Sequence, residues 1–373
     1  MSKRLLQRLS DTVYACSSLS QLSSRPGNFV YRGVLVHPLP VQVETPARTI
    51  IIKHSVNVAG KNISSHMEYC NFEELLLNSI AQFPPLIDAP VLVKAPRLYL
   101  IDRESNTQVL EDFVNSEGLK SIWISSEAND LLPPSSLEAI GLQLGSWLRA
   151  FHGWATAPEQ ASVRAQMWQG DPMRKIKYFF TYQNFLKVLE LYPELLKDHR
   201  EILDHIQDAI SKEYEKSSTE EDGDFGLIHG DFWSGNILLP TTPWRAPPLS
   251  SAPNRLFIID WEFAQFGHRS NDIGQIIGDL FERNIYSNIA AITPVMEGVI
   301  KGYGELSDQM SFRVAIYVGV HLINWYNRRP QQGPRVVPPD AIIAGLTTGR
   351  DFIIKGWKKD RKFFESSALA LLF

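Results

Sequence analysis

In the stretch Leu227-Ile228-His229-Gly230-Asp231-Phe232-Trp233-Ser234-Gly235-Asn236-Ile237-Leu238-Leu239, a polar loop stands between two short apolar runs that read as β-strands. The loop carries a carboxylate, Asp231, and five positions later an amide, Asn236. A second acid, Asp260, ends the next apolar run, Phe257-Ile258-Ile259, and Trp261-Glu262 follow it. An acid, an amide and a further acid at successive strand ends suit metal-assisted phosphoryl transfer. That reaction asks a protein for positioning and charge neutralisation more than for covalent chemistry. Asp231 is then placed to accept or orient the proton of an attacking hydroxyl. Asn236 can turn an uncharged oxygen toward Mg2+, and Asp260 brings the anionic oxygen that so hard a cation prefers.

Such chemistry also needs a cation for the phosphates. Thr49-Ile50-Ile51-Ile52-Lys53-His54 is a β-branched run ending in charge, so it reads as a buried strand that delivers the Lys53 ammonium to a cleft edge. The plainer alternative is a lysine leaving the core at a strand end. Further on, Glu73 and Glu74 open a helical run to Ile80 with Leu75, Leu76, Leu77 and Ile80 as its apolar face. Either glutamate can hold Lys53 against nucleotide phosphates. The segment Leu22-Ser23-Ser24-Arg25-Pro26-Gly27-Asn28 joins two β-rich runs, Val13 to Leu22 and Asn28 to Val36. Its small and polar residues let backbone N–H groups approach phosphate oxygens, or simply make a hairpin turn.

The strands Arg97 to Asp102 and Thr107 to Leu110 read as a second hairpin. Glu111-Asp112-Phe113-Val114-Asn115-Ser116 then leaves for polar sequence and reads as a hinge, where the backbone from Glu111 to Phe113 can meet an adenine edge. From Pro133 the pattern is helical. Ser135 with Glu138 forms a capping box, and Leu137, Ile140, Leu144, Leu148 and Phe151 keep one apolar face as far as His152, read as a packing histidine. Amphipathic helices continue over 173–216 with a break near Pro193, and Tyr178, Phe179, Phe180, Tyr182, Phe185 and Tyr192 read as core. Glu220 to Asp224 reads as a solvated loop, and Pro240 to Arg255, with five prolines, as an exposed excursion. Asn271 or Asp272 is a natural N-cap for a helix from Ile273 to Phe281, and 284–373 continue as helices whose last residues, Ala368 to Phe373, dock on the protein.

His229 stands two residues before Asp231, the His-x-Asp pattern of a metal-dependent hydrolase. The neighbouring strands add only one further strong ligand, Asp260, where a second histidine would be wanted, so His229 is expected to brace the loop by hydrogen bonds. Trp233 and Trp261 are expected to pack the loop, with the lining of an acceptor pocket as the alternative. Glu262 and Asp272 are expected at surface or capping positions, with contact to a cationic substrate as the alternative.

The 373 residues, 44% of them hydrophobic, suffice for one large domain or two coupled lobes and exclude a wholly disordered chain. With 37 basic against 41 acidic residues and a net charge of −4, no global positive field draws nucleic acid, and small or neutral partners are favoured. Two cysteines, Cys16 and Cys70, without a C-x-x-C pair, build neither a disulfide framework nor a zinc site, so a cytoplasmic protein is expected. No run approaches the roughly 18 to 20 apolar residues that span a bilayer, so no membrane partner is expected.

His229-Gly230-Asp231 with Asn236, followed by Ile259-Asp260-Trp261-Glu262, resembles the catalytic and metal motifs of the aminoglycoside phosphotransferase and choline kinase superfamily, the small-molecule branch of the protein-kinase-like fold. The resemblance runs from about Leu22 through Asn28-Phe29-Val30-Tyr31-Arg32, Lys53, Glu73 and the hinge to about Phe281; beyond that only the helical character matches. It implies an α+β, two-lobed fold, with a small β-rich nucleotide-binding lobe over residues 1–114 and a larger, mainly helical catalytic and substrate-binding lobe over 115–373. It implies Asp231 as catalytic base, Asn236 and Asp260 as magnesium ligands, and Lys53 as phosphate contact with Glu73 as its partner. It also implies a nucleotide loop around Ser23 to Asn28, drawing on Ser23, Ser24, Gly27 and Asn28, with Glu111 and Phe113 at the adenine edge. Gly230 stands where protein kinases usually carry arginine, and Trp261-Glu262 where they carry Phe-Gly, which disfavours protein substrates. The expected function is Mg2+- and ATP-dependent transfer of a γ-phosphoryl group to a hydroxyl of a small molecule. The alternative is a regulatory module of the same fold that holds nucleotide without catalysis. Phe232 to Asn236 resembles fructosamine kinases and Asp260 to Glu262 the choline and aminoglycoside branches, so no acceptor is assigned.

Overall fold

The computed structural model describes residues 2–25, 28–40, 46–55, 63–84, 86, 91–168, 171–215, 223–245, 253–289, 291–333 and 336–373. The chain opens with a short helix, α1 (Ser2–Leu9), and the strands β1 (Cys16–Arg25), β2 (Asn28–Leu39) and β3 (Ala47–Ser55). Helix α2 (Ile63–Ile80) precedes β4 (Val91–Lys94), β5 (Leu98–Asp102), β6 (Thr107–Glu111) and β7 (Ser116–Gly118). Helices then dominate, as α3 (Leu119–Trp123), α4 (Ala128–Leu131), α5 (Leu137–Thr156), α6 (Ala161–Trp168), α7 (Asp171–Phe180), α8 (Phe185–Leu189), α9 (Pro193–Leu196) and α10 (Arg200–Glu215). Four short strands follow, β8 (Phe225–Ile228), β9 (Ile237–Pro240), β10 (Asn254–Ile258) and β11 (Gln265–His268). The chain finishes in α11 (Ser270–Ser287), α12 (Ile292–Tyr303), α13 (Asp308–Arg328), α14 (Pro339–Trp357) and α15 (Arg361–Glu365).

The N-terminal sheet runs β1-β2-β3-β6-β5 with every neighbour antiparallel. Alternation along β3 sends Ile50 and Ile52 to one face, where they bury with Tyr31, Leu35 and Val109 against Leu5 and Leu9 of α1. Ile51 and Lys53 therefore take the opposite face, on which Ile51 packs against the main core. Strand β4 leaves this sheet and pairs in parallel with β10, in a second sheet of order β4-β10-β9-β7. Strands β8 and β11 form a two-stranded ribbon. The polar loop runs from the end of β8 to the start of β9, and because β9 and β10 are antiparallel the end of β10 lies beside that start.

The helical part packs closely. Gly141 and Gly145 of α5 face Gly298 and Gly302 of α12, and a Cβ at Gly141 would lie 2.1 Å from the carbonyl oxygen of Val295. At the far end, Leu369 and Leu372 are buried and the Ser311 hydroxyl donates to the Leu372 carbonyl at 2.6 Å, so the last residues dock as expected. Among the described residues no helix is long and apolar enough to cross a membrane.

Three local expectations differ. Ser135 and Glu138 make no capping box, because Pro134–Ser136 form a 3-10 turn ahead of α5. The Ser136 hydroxyl turns back to the Pro133 carbonyl at 2.9 Å, while Glu138 accepts from Lys301 at 2.7 Å. Helix α11 begins at Ser270, straight out of β11, which puts Asn271 and Asp272 inside its first turn instead of capping it. Of the aromatics expected in the core, Tyr182 and Phe185 are fully buried, but Phe179 and Phe180 close α7 with 46% and 58% of their surface exposed. The acidic run is described only from Gly223 onward, and residues 246–252 of the proline-rich excursion lie outside the described residues.

Candidate active site

The phase of α2 decides which glutamate meets Lys53. Glu73, Leu76, Leu77 and Ile80 share one helical face and all are buried. Glu73 therefore points inward with the apolar stripe and accepts from the Lys53 ammonium at 2.7 Å, whereas Glu74 pairs with Arg103 at 2.5 Å. Lys53 donates a second hydrogen bond, at 2.6 Å, to Asp260 Oδ1. Burial works against the Lys53 charge, but the carboxylates of Asp260, Glu73 and Glu262 outweigh it and hold the ammonium well above the ordinary lysine range. Asp260 sits two residues beyond β10 with φ of +66°, a left-handed conformation uncommon outside glycine. The 3-10 turn Trp261–Phe263 follows directly, and the buried Trp261 indole pins it by donating to the Ile258 carbonyl at 3.0 Å. Glu262 stands beside this pair. Burial and the Asp260 charge push its carboxyl up to about 8.

The loop from His229 to Asn236 is held from several sides. His229 Nδ1 accepts from the Asp231 backbone N–H at 3.2 Å, and its Nε2 donates to the Ile259 carbonyl at 3.1 Å. Both ring nitrogens are committed and burial holds the imidazole below its usual pKa, so His229 is a neutral brace and not a metal ligand. Gly230 has φ of +79°, and a Cβ there would lie 2.0 Å from the Phe263 carbonyl oxygen, so only glycine fits. Asp272, fully buried, accepts from the backbone N–H of His229 at 2.8 Å and of Gly230 at 2.9 Å. His152 Nε2 donates to the same carboxylate at 3.2 Å and its Nδ1 accepts from the Tyr303 hydroxyl at 2.9 Å. Burial alone would raise the Asp272 carboxyl, yet the bonds from His152 and His229 bring it below the usual range, so it is ionised. Asp272 is thus neither a surface residue nor a cap.

Asp231 is oriented as closely. Its Oδ1 accepts from Gln275 Nε2 at 2.5 Å, and its Oδ2 from Trp233 Nε1 at 3.1 Å and Asn236 Nδ2 at 2.9 Å. With its amide nitrogen on Asp231, Asn236 has its carbonyl oxygen to offer elsewhere. The Ile259 N–H donates to the Asn236 backbone carbonyl at 2.9 Å, which ties this loop to the residue before Asp260. Asp279 accepts from the Ser234 N–H at 3.1 Å and pairs with Arg283 at 2.6 Å. Asp272, Gln275 and Asp279 are spaced i, i+3, i+7 on α11, so one helical face carries the props of the loop. That regular spacing of polar residues along the helix was a legible signal. Lys177, which donates to the Gly230 carbonyl and to Gln275 Oε1 at 2.6 Å each, has no comparable signal.

Beside Asp231 opens a cavity of about 570 Å³, whose walls include Trp233, Phe180, Tyr317, Lys177 and Trp325. Trp233 therefore lines a pocket as well as packing the loop. Asp279, Glu282 and His321 converge in the wall of the same cavity, but Arg283 pairs with Asp279 and Arg328 with Glu282 at 2.6 Å each, which makes an ion-pair network of them.

Lys53, Glu73 and Asp260 meet in one cluster, and Asp231 and Asn236 stand on the adjoining loop. Ser23 is exposed on β1, the Asn28 side chain accepts from the Ser55 hydroxyl at 2.7 Å, and the Ser24 side chain and Gly27 lie outside the described residues. The Glu111 carboxylate is taken up by Lys94 at 2.5 Å and the Arg97 N–H at 3.1 Å, and the Phe113 ring stacks on Phe257 at 4.0 Å. Around Asp260, the carboxylates of Glu73 and Asp260 face the Lys53 ammonium, and the Glu262 carboxyl stands beside them. A donor set of hard oxygens with excess negative charge fits a divalent cation.

A sequence model of the phosphotransferase enzyme family, APH, matches residues 66–306, more than half of the chain. The chain belongs to that family. The phosphotransferase FrzJ of a Cladobotryum species is 30% identical over 385 residues, covering 99% of this chain and 95% of its own. Among solved structures, ADP-bound aminoglycoside phosphotransferase APH(2'')-Ib superposes with a TM-score of 0.51 at 12% identity, over 96% of this chain and 99% of its own. The amicoumacin kinase hAmiN, in complex with AMP-PNP, Ca2+ and Ami, superposes with a TM-score of 0.51 at 13% identity, over 95% of this chain and 93% of its own. At such identity these two show the fold, the α+β arrangement of an N-terminal sheet and a mostly helical C-terminal part. The first of these structures holds ADP, and the second AMP-PNP with Ca2+.

Proposed function

We propose that this phosphotransferase transfers the γ-phosphoryl group of ATP, with Mg2+, to a hydroxyl of a small molecule held in the cavity beside Asp231. The observation that carries the proposal is the position of Asp231, whose carboxylate lines that cavity while three side-chain donors fix its orientation. The cavity volume, about 570 Å³, is that of a small-molecule site. Residues 1–114 would serve as the nucleotide-binding lobe and 115–373 as the catalytic lobe.

Asn236 and Asp260 would hold Mg2+, which when bound supplies neutralisation of phosphate charge. Lys53, locked by Glu73, would bind the α and β phosphates, with the β1–β2 hairpin and the segment at Glu111 to Phe113 bordering the nucleotide. Asp231 accepts the proton of the acceptor hydroxyl as its oxygen attacks. Trp233, Gln275 and Asn236 keep that carboxylate in place, so little reorganisation is needed at the moment of reaction. The intact set of Lys53, Asp231, Asn236 and Asp260 disfavours a catalytically silent module.

The test is transfer of label from γ-labelled ATP across a panel of small alcohols, with Asp231→Asn as control. Label on a hydroxyl of one acceptor, abolished in the control, is the expected result. Mg2+-dependent nucleotide binding without transfer to any acceptor or to water would favour the silent module instead.

A further inference from the structure

We propose that Lys177 and Gln275 are positioning residues that turn Asp231 so that its Oδ1 atom receives the proton of the acceptor hydroxyl. This rests on Asp231 being the proton acceptor, as proposed above.

Lys177 comes from α7, far in sequence from the loop, and its side chain is buried. Its ammonium donates to the Gly230 carbonyl and the Gln275 amide oxygen and lies 5.4 Å from the Tyr317 ring centroid. Both hydrogen-bond acceptors are uncharged. A buried ammonium without a directly bonded carboxylate is costly, and an apolar side chain of similar length would serve stability better. Burial accordingly drops its pKa to about 8, opposed in part by the charges of Asp231 and Asp272 and assisted by Arg328.

What the ammonium does is choose the orientation of an amide. Because Lys177 donates to Gln275 Oε1, the other end of that amide, Nε2, must face Asp231, and it does so at 2.5 Å from Oδ1. With the lysine gone, the amide oxygen keeps only the Tyr317 hydroxyl at 3.5 Å, so the amide loses its anchor and can shift away from Oδ1. The lone pairs of Asp231 then identify the reacting atom. A carboxylate oxygen accepts about two hydrogen bonds. Oδ2 already takes two, from Trp233 and Asn236, and Oδ1 takes one, from Gln275. The remaining acceptor position is on Oδ1, beside Gln275, and Asp231, Gln275 and Lys177 all line the cavity. In the step, the acceptor O–H bond breaks and its proton passes to Oδ1. The oxygen's electron pair forms the new bond to the γ-phosphorus, and the bond from that phosphorus to the β,γ-bridging oxygen breaks, its pair leaving with ADP.

Lys177→Met and Gln275→Leu, singly and together, test this in Mg2+-dependent release of label from γ-labelled ATP to water and to the acceptor found in the panel. Each single variant should lower kcat by about 10- to 100-fold, the scale of a misplaced reacting group, with KM for Mg·ATP changed less than about twofold. The double variant should lose no more than the worse single one, because the two side chains act in one chain. Additive losses, or a KM effect without a kcat effect, would overturn the proposal. Activity retained in Lys177→Met while Asp231→Asn is inactive would sink the positioning role alone, and activity retained in Asp231→Asn would sink the base on which it rests.

Discussion

Replacing Asp272 with asparagine changes one atom of a fully buried group and should disturb both stability and catalysis. One carboxylate oxygen accepts from the Gly230 N–H at 2.9 Å, and the other from the His229 N–H at 2.8 Å and from His152 Nε2 at 3.2 Å. An asparagine keeps only one oxygen. Placing that oxygen at the two-donor position preserves the bonds from His229 and His152 and turns an NH2 group against the Gly230 N–H. A buried N–H without an acceptor costs about 1–3 kcal/mol, and loss of the charge from the surviving bonds adds about 1 more. The total, about 2–4 kcal/mol, corresponds to a drop of about 3–5 °C in Tm for a chain of this length. Gly230 immediately precedes Asp231, so kcat should fall further than stability does, by about 100-fold, as expected when a reacting group is displaced by a fraction of a bond length. Calorimetric Tm and kcat, measured on the same preparation, check this. A Tm within about 1 °C of wild type, together with unchanged kcat, would refute the role given to Asp272.

The same loop should reject Gly230→Ala, since φ is +79° and the new Cβ would meet the Phe263 carbonyl at 2.0 Å. A loss of about 3 kcal/mol, from overpacking and left-handed backbone, should appear in denaturant unfolding, along with loss of activity. Lys53→Met should weaken binding of Mg·AMP-PNP by at least about tenfold in calorimetric titration, Glu73→Gln should do so less, and Glu74→Gln should leave it unchanged. Equal effects of the two glutamates would contradict the inward assignment of Glu73. In Glu262→Gln, which removes a carboxyl pushed up to about 8 whose linkage has the opposite sign, stability should fall on acidification, because burial lowers the pKa of His54, His152, His229 and His268 in the folded chain. The unfolded chain binds more protons once pH drops below about 6.5, so their contribution is complete above that value and is lost as pH falls through the folded pKa values. A Tm that rises between pH 7 and pH 5 would refute this.

Asp231, Asn236 and Asp260 were readable because each sits where an apolar run meets a polar loop, a purely local pattern. Lys53 was readable for a similar reason: strand alternation puts it opposite Ile50 and Ile52. Glu73 could have been separated from Glu74 by helical phase, since it falls in register with Leu76, Leu77 and Ile80. Asp272 was read as a cap or surface residue because helix-start rules describe only its own chain segment, and its partners His229 and Gly230 lie more than forty residues away. Gln275 was announced only by its spacing with Asp272 and Asp279 along α11, and its partner Asp231 is 44 residues away; Lys177 is a lysine among aromatics, 98 residues from Gln275, and nothing in its neighbourhood announces the contact. The failed box at Ser135 and Glu138 shows the reverse case, in which a local rule was met but Pro134 closed a tighter turn first.

The central claim is that the Asp231 carboxylate accepts a hydroxyl proton during γ-phosphoryl transfer. Its most direct test is kcat of Asp231→Asn with the acceptor returned by the label screen, beside calorimetric affinity for Mg·AMP-PNP. The predicted result is a loss of about 10²–10⁴ in kcat with affinity for the nucleotide unchanged. Turnover of the variant at the wild-type rate would contradict it.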